Sequence, residues 1–191
     1  MPLGLPGFLV AMFLIFMVDA AIFPALPELF VVLFFFLHEG LAVDPALWAI
    51  ALTAVGVLGD LAGNFVLYSF VHRALIKRGK MPRAIESAMR RWTSFLLVRD
   101  ERVILLNRIA PAVPLTGAFI AVHGWRLRLS LAYVAIGGIV KYGALLALAG
   151  WFGITLPPDT ALFATLGFVV ALIAASLLLA RYRRRSVETT P

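Results

Sequence analysis

Residues 161–180, ALFATLGFVVALIAASLLLA, contain no charged side chain. At about 1.5 Å of rise per residue, a helix of this length extends about 30 Å, the thickness of the hydrocarbon core of a bilayer. The chain as a whole is also strongly apolar, since 62% of its 191 residues are hydrophobic and only 14% are charged. A soluble domain carries about a quarter charged residues. The composition therefore predicts an all-α integral membrane protein and excludes a soluble globular domain.

Four apolar segments predict membrane-spanning helices, at residues 5–23, 45–71, 129–149 and 160–180. The second begins at Asp44-Pro45, an N-cap residue followed by proline in the first turn. Within it Gly56, Gly59 and Gly63 lie three and four residues apart, on one helical face, which lets another helix approach closely. We predict one membrane domain, residues 1–182, followed by a basic tail, residues 183–191.

Two further apolar segments, residues 24–39 and 103–122, are interrupted by prolines and polar residues. A proline inside a helix removes a backbone donor and clashes with the preceding turn. Non-helical backbone at membrane depth is tolerated only where it is buried in protein or lines a cavity. We predict two re-entrant hairpins that enter from opposite faces, each followed by a glycine-bearing span. This inverted repeat is typical of transporters with a site near the midplane.

The charges are concentrated in two stretches of the chain. Nine Lys and Arg residues lie within residues 73–102, and four arginines lie within residues 181–185. The positive-inside bias predicts that both stretches, and both termini, are cytoplasmic in a multi-pass protein of the cell membrane. Such a surface attracts anionic lipid headgroups. In a chain this apolar, we do not expect nucleic-acid binding.

Residues 77–100 predict an amphipathic helix in the cytoplasmic interface. Its apolar face is formed by residues at helical spacing: Ile85, Met89, Trp92 and Leu96. The opposite face carries arginines, so the segment is too polar to span the bilayer.

The sequence contains no motif that is typical of a metal site or of an enzyme active site. The chain has no cysteine and three histidines, so disulfides and thiolate metal sites are excluded. The sequence holds no paired-histidine metal spacing, no Asp-rich diphosphate motif and no nucleophile-elbow serine. We expect no cofactor, no metal and no enzymatic activity.

Ionisable side chains at membrane depth are costly and are candidate functional residues. The candidates are Asp19, Glu28, Asp60, Arg108 and Lys141, with Glu39 at the outer interface. An arginine binds carboxylate or phosphate through a planar fork of donors, and a desolvated carboxyl can exchange a proton near neutral pH. One interpretation is a proton-linked site for an anionic headgroup, in which Glu28, Asp60 and Arg108 converge. The other is an ion-pair cluster that only fastens the two repeats together.

Two of these candidates have further alternatives. Asp19 is expected to bond Lys141 or a helix terminus. Lys141 is expected either to pair with an acid or to extend its amine to an interface.

Three tryptophans lie near predicted span ends and fit an aromatic belt: Trp48, Trp125 and Trp151. The glycines of the third span are expected to serve packing: Gly137, Gly138 and Gly143.

Three stretches in this order resemble the DedA family, the bacterial and archaeal branch of the VTT (SNARE-associated) membrane proteins. They are FPALPE at residues 23–28, GDLAGN at residues 59–64, and NRIAPAVP at residues 107–114. The chain departs from the family pattern at Pro114, where the family commonly repeats an arginine.

The resemblance implies transport of an anionic lipid, either proton-linked recycling of a polyprenyl phosphate or scrambling of phospholipids. It implies that Glu28 and Asp60 are the proton-responsive acids and that Asn107 and Arg108 contact the phosphate, with Lys141 as a substitute for the missing arginine. The expected partners are protons, anionic lipid and a second copy of the chain. The alternative function is an accessory subunit of a membrane complex that transports nothing itself.

Overall fold

The structure, a computed structural model, describes residues 4–22, 27–37, 43–83, 86–87, 89, 100–105, 115–157, 160–171 and 174–175. Within these ranges the chain is helical, with no strand. The elements are α1 Gly4–Ala21, α2 Pro27–Phe36, α3 Pro45–Phe70, a π-helical extension of α3 at Val71–Ile76, α4 Thr116–His123, α5 Leu127–Thr155 and α6 Thr160–Ala171.

Three of these helices are long and apolar enough to cross a membrane: α1, α3 with its π-helical extension, and α5. The π-helical extension brings α3 to 32 residues, whereas α2 and α6 are shorter apolar helices. The predicted all-α membrane protein is therefore confirmed.

The start of α3 follows from its first residues. Oδ1 of Asp44 accepts hydrogen bonds of 3.0 Å from the backbone N–H groups of Ala46 and Leu47. These amides have no acceptor inside the helix, so the side chain satisfies donors that the first turn would leave open. Pro45 stands in the first turn, where its missing N–H costs nothing. The predicted N-cap is confirmed.

Helix α3 packs closely against α1 through its glycine face. A Cβ atom added to Gly59 would lie 2.7 Å from the carbonyl oxygen of Phe13 and 2.7 Å from Cβ of Phe16. Gly56 and Gly63 contact the same helix one turn away on either side. The close approach predicted from the glycine spacing is confirmed, and its partner is α1.

Helix α3 lies at the centre of the bundle, in contact with α1, α2, α4 and α5. The largest apolar cluster joins Phe16, Val31, Leu52 and Leu146 from four helices. Trp48, which the sequence placed in an aromatic belt, is buried in this cluster, and its indole N–H donates to the carbonyl oxygen of Phe34 at 2.9 Å. A hydrogen-bond acceptor on α2 makes an interior position favourable for the indole.

Several predicted bounds need correction. Helix α5 covers Leu127–Thr155, longer at both ends than the predicted residues 129–149. Gly150 and Gly153 do not end it, because both lie next to phenyl rings of α2 and the small residues allow this contact. Residues 77–82 of the predicted amphipathic helix are not helical, with a turn at residues 77–79. Gly79 there has a φ of +63°, a left-handed conformation that ends a helix.

Other predictions fall partly or wholly outside the described residues. For the predicted hairpin at residues 24–39 the structure describes α2, and for the hairpin at residues 103–122 it describes residues 103–105 and α4. Of the predicted amphipathic face, Met89 is described, and it packs against apolar residues from α4 and residues 103–104. Ile85, Trp92, Leu96, the end of the last span and the tail at residues 183–191 lie outside the described part.

Candidate functional site

Asp60 is buried in the middle of α3, with 1% of its surface exposed. The hydroxyl of Tyr142 on α5 donates a hydrogen bond of 2.9 Å to Oδ2 of Asp60. Next to this carboxyl group, Gly138 lets α5 approach α3 closely, since a Cβ added to Gly138 would lie 3.0 Å from Cγ2 of Val57. The packing role predicted for Gly138 is therefore confirmed, with Val57 of α3 as the neighbour.

Glu28 forms an ion pair with Lys141. Glu28 lies in the first turn of α2, where the positive end of the helix dipole favours a carboxylate. Both side chains are partly buried, with 18% of Glu28 and 27% of Lys141 exposed. The amine of Lys141 also lies 5.6 Å from the centre of the Tyr142 ring. Of the alternatives for Lys141, the structure shows pairing with an acid.

Helix α5 makes both of these contacts. Consecutive residues, Lys141 and Tyr142, bind the carboxyl groups of α2 and α3 respectively. Consecutive positions on a helix point about 100° apart, so one stretch of α5 can reach two neighbouring helices. We call these four residues the carboxyl cluster: Glu28, Asp60, Lys141 and Tyr142.

Of the predicted site residues, the structure brings Glu28, Asp60 and Lys141 to one level of the bundle. Asp19 lies half-buried near the end of α1. Asn107, Arg108 and Glu39 lie outside the described residues, so the convergence of Arg108 with the two carboxyl groups stays a prediction.

The role of Tyr142 was not predicted from the sequence. An available signal was its place beside Lys141 in the glycine-flanked stretch GGIVKYG, residues 137–143. A phenol in an apolar helix brings a hydroxyl that needs a partner when it is buried. The candidate partners were the few acids of the other spans.

One turn along α3 from Asp60 lies a second buried polar residue. Nδ2 of Asn64 donates to the backbone carbonyl of Asp60 at 2.8 Å. Its Oδ1 finds no hydrogen-bond partner among the described residues, and neither does the hydroxyl of buried Ser130 on α5. Polar atoms left in this state are where ordered water binds in protein interiors.

An apolar groove of about 880 Å³ lies between α3 and α5. A further cavity of about 440 Å³ lies beyond the π-helical extension of α3 and is lined in part by Arg83, Glu86 and His123. Neither is lined by Glu28, Asp60 or Lys141. The carboxyl cluster is therefore packed against helices and does not open into these cavities.

The end of the bundle that carries the basic residues has its own ion pair. Oε1 of Glu101 accepts from the backbone N–H and from Nε of Arg126, each at 3.2 Å. The backbone N–H of Glu101 itself and the contacts with Arg126 stabilise the carboxylate, so the pKa of Glu101 is lowered. This pair fixes the loop before α5 to residues 100–105.

Among the described residues, no group of three or more His, Asp or Glu side chains is placed to hold a metal ion. Compared with known proteins, the chain shows no significant match to any family model, curated protein or solved structure.

Proposed function

We propose that the protein is a transporter or scramblase of anionic lipid in the cell membrane. The observation that carries this proposal is the carboxyl cluster: two acids and a lysine from three helices meet inside an apolar bundle. Ionisable groups at membrane depth are retained where they serve a substrate or ion pathway. A protein that needed only rigidity would gain as much from apolar side chains of similar volume.

The ion pair between Glu28 and Lys141 indicates how an anionic headgroup would bind. Lys141 carries the positive charge that an anionic headgroup needs, and Glu28 neutralises it in the described state. Protonation of Glu28 removes that counter-charge and frees the amine for phosphate. Asp60 is the second acid, held by Tyr142, and the resemblance to the DedA family assigns Arg108 and Asn107 to the phosphate.

In the proposed topology, the two hairpins enter the membrane from opposite faces. Both termini and the basic end of the bundle face the cytoplasm, in accordance with the positive-inside bias. Helix α2 forms one arm of a re-entrant hairpin from the opposite face, and α4 forms one arm of a second hairpin from the cytoplasmic face. The two hairpins are the broken elements of an inverted repeat.

The test is transport by the purified protein in liposomes that contain a fluorescent phospholipid or a labelled polyprenyl phosphate in one leaflet. We expect movement between leaflets above that of empty liposomes. Asp60→Asn, Arg108→Ala and Lys141→Met should each slow it at least tenfold. Asp100→Asn, at a half-exposed aspartate outside the cluster, is the matched control and should leave the rate unchanged. No movement of either lipid class would overturn the proposal.

A specific observation also favours the accessory-subunit alternative. Glu28 already has an ionic partner and Asp60 has a hydrogen-bond donor, as expected if the cluster only fastens helices together. Purification under mild conditions distinguishes the two. A larger complex at fixed stoichiometry, combined with inactivity in liposomes, would favour the accessory role.

A further inference from the structure

The cavity of about 440 Å³ beyond the π-helical extension of α3 has a lining that is part charged and part apolar. Arg83, Glu86 and His123 supply its ionisable side chains. The apolar side chains of the lining are Ile76, Met81, Ala121 and Val122. A few polar groups in an otherwise apolar pocket fix the orientation of a ligand that has both kinds of surface. The lining therefore favours an amphipathic ligand.

The cavity lies at the level of lipid headgroups. Helix α3 and its extension comprise 32 residues, Pro45–Ile76, and a helix of this length extends about 48 Å. A bilayer with both of its headgroup regions is about 40–45 Å thick. The two ends of this helix are therefore separated by about the full thickness of the bilayer. Since Ile76 lines the cavity, the cavity lies among the headgroups of the leaflet at the basic end.

The chain around the cavity is strongly basic. Residues 73–86 contain five Lys and Arg residues and one acid, Glu86. Basic segments at a membrane surface attract anionic headgroups without a defined site. Of the five cations, all within the described part of the chain, Arg83 is the one that lines the cavity, whereas Arg78 is exposed outside its lining. A comparison of these two arginines separates binding in the cavity from diffuse attraction.

Arg83 is suited to bind a phosphate group. Its side chain is exposed, and within the described ranges its guanidinium has no ion-pair or hydrogen-bond partner. A guanidinium presents a planar fork of N–H donors, which fits two oxygens of a phosphate at once. The charge is present at every physiological pH. Arg83 therefore supplies the anion-binding group of the cavity.

His123 holds a fixed position in the cavity wall. Its Nδ1 lies 3.1 Å from the carbonyl oxygen of Phe119, and because a carbonyl oxygen can only accept, Nδ1 carries the hydrogen. The imidazole is stacked on the Phe119 ring at 5.6 Å and lies 5.2 Å from the Trp125 ring. A protonated His123 would add a second positive charge to the lining.

Glu86 opposes the binding of an anion. It is half-buried and lies three residues after Arg83, in a turn where its backbone N–H donates to the carbonyl oxygen of Pro82 at 3.1 Å. A carboxylate in the same lining repels a phosphate. Removal of this charge should therefore strengthen binding in the cavity, whereas removal of the Arg83 charge should weaken it.

We propose that this cavity binds the phosphate group of an anionic phospholipid from the leaflet at the basic end of the bundle. Arg83 binds the phosphate, and the apolar part of the lining contacts the glycerol and the first carbons of the acyl chains. The cavity lies outside the carboxyl cluster, so binding here does not depend on whether the protein transports lipid.

The test places the purified full chain in nanodiscs of phosphatidylcholine with an increasing fraction of phosphatidylglycerol that carries a photoactivatable group on its headgroup. We expect saturable labelling of residues 76–86 and 121–124, displaced by unlabelled phosphatidylglycerol. Arg83→Gln should reduce the labelling at least fivefold, and the matched control Arg78→Gln should change it less than twofold. Glu86→Gln should increase it at least twofold. Both arginines are exposed, so thermal unfolding of their variants should match that of the wild type.

Three outcomes overturn the proposal. An equal reduction by Arg83→Gln and Arg78→Gln would mean diffuse attraction to the basic segment only. Labelling that does not saturate would mean bulk lipid only. Displacement by inorganic phosphate or glycerol 3-phosphate as effective as displacement by the lipid would make the ligand a soluble phosphate.

Labelling is scored separately from lipid movement in liposomes. Lipid movement without saturable labelling contradicts the headgroup site and leaves the proposed function intact. Saturable labelling that depends on Arg83, without lipid movement, contradicts the proposed function and supports the site.

Discussion

The hydroxyl of Tyr142 and the carboxyl of Asp60 form a hydrogen bond of 2.9 Å between α5 and α3, in a position where Asp60 is 1% exposed. Tyr142→Phe removes the donor and keeps the ring. We expect a loss of about 1.5 to 3 kcal/mol in the free energy of unfolding, because a buried acid loses a partner. Thermal or denaturant unfolding in detergent micelles measures it. Tyr133→Phe, at a half-buried tyrosine on the same helix, is the control and should have a smaller effect.

Lys141 and Glu28 should show energetic coupling. Lys141→Met leaves Glu28 without its cation and Glu28→Gln leaves Lys141 without its anion. We expect each change to cost about 1 to 3 kcal/mol, less than for a fully buried pair because both side chains are partly exposed. The double variant should cost less than the sum of the two. Strictly additive costs in this double-mutant cycle would show that the pair contributes nothing.

The glycine face of α3 should tolerate no side chain. Gly59→Ala introduces a Cβ that would lie 2.7 Å from the carbonyl oxygen of Phe13, and backbone cannot move aside as a side chain can. We expect destabilisation of about 1 to 3 kcal/mol. Gly143→Ala, in open space, should stabilise by about 0.5 to 1 kcal/mol through helix propensity. Equal unfolding temperatures for the two variants would contradict the close packing of α1 and α3.

Replacing Ser130 by alanine should stabilise the folded protein. Its hydroxyl is buried and has no hydrogen-bond partner among the described residues, so Ser130→Ala removes a desolvation cost of about 1 kcal/mol. The contrasting position is Thr165, also buried, whose hydroxyl donates to the carbonyl of Ala161 at 2.7 Å. Thr165→Val should lose about 0.5 to 1.5 kcal/mol. Destabilisation by Ser130→Ala would indicate that a water or another group satisfies the hydroxyl.

Glu101 should make stability depend on pH in acid. Because the folded state lowers the pKa of Glu101 below its ordinary value of 4.5, the carboxylate stabilises the fold at higher pH. That contribution is fully present above pH 4.5 and is lost as the pH falls through the lowered pKa. We expect the difference in unfolding temperature between wild type and Glu101→Gln to be largest near pH 6 and to shrink below pH 4. A difference that is constant with pH would rule out this titration.

Several properties of the fold could be predicted from local sequence. The apolar length of α1 and α3 and the cap at Asp44 depend only on neighbouring residues, because a helix satisfies its own backbone and a cap acts within one turn. The close approach through Gly59 could also be predicted, since three- and four-residue spacing fixes a helical face. The end of α5 could not, because its last turns pack against phenyl rings of α2, 115 or more residues earlier in the chain.

The sequence by itself determined that the protein is helical, lies in a membrane and carries a few costly charges in its spans, because apolar length and composition need no tertiary contact. Only the tertiary structure decided which polar side chains of the helices contact each other. Glu28 and Lys141 are 113 positions apart and Asp60 and Tyr142 are 82 apart. The rotation of α5 against α2 and α3 selects these partners, and no periodicity within one helix specifies that rotation. The groove between α3 and α5 has the same origin, since its walls become a cavity only when the two helices pack.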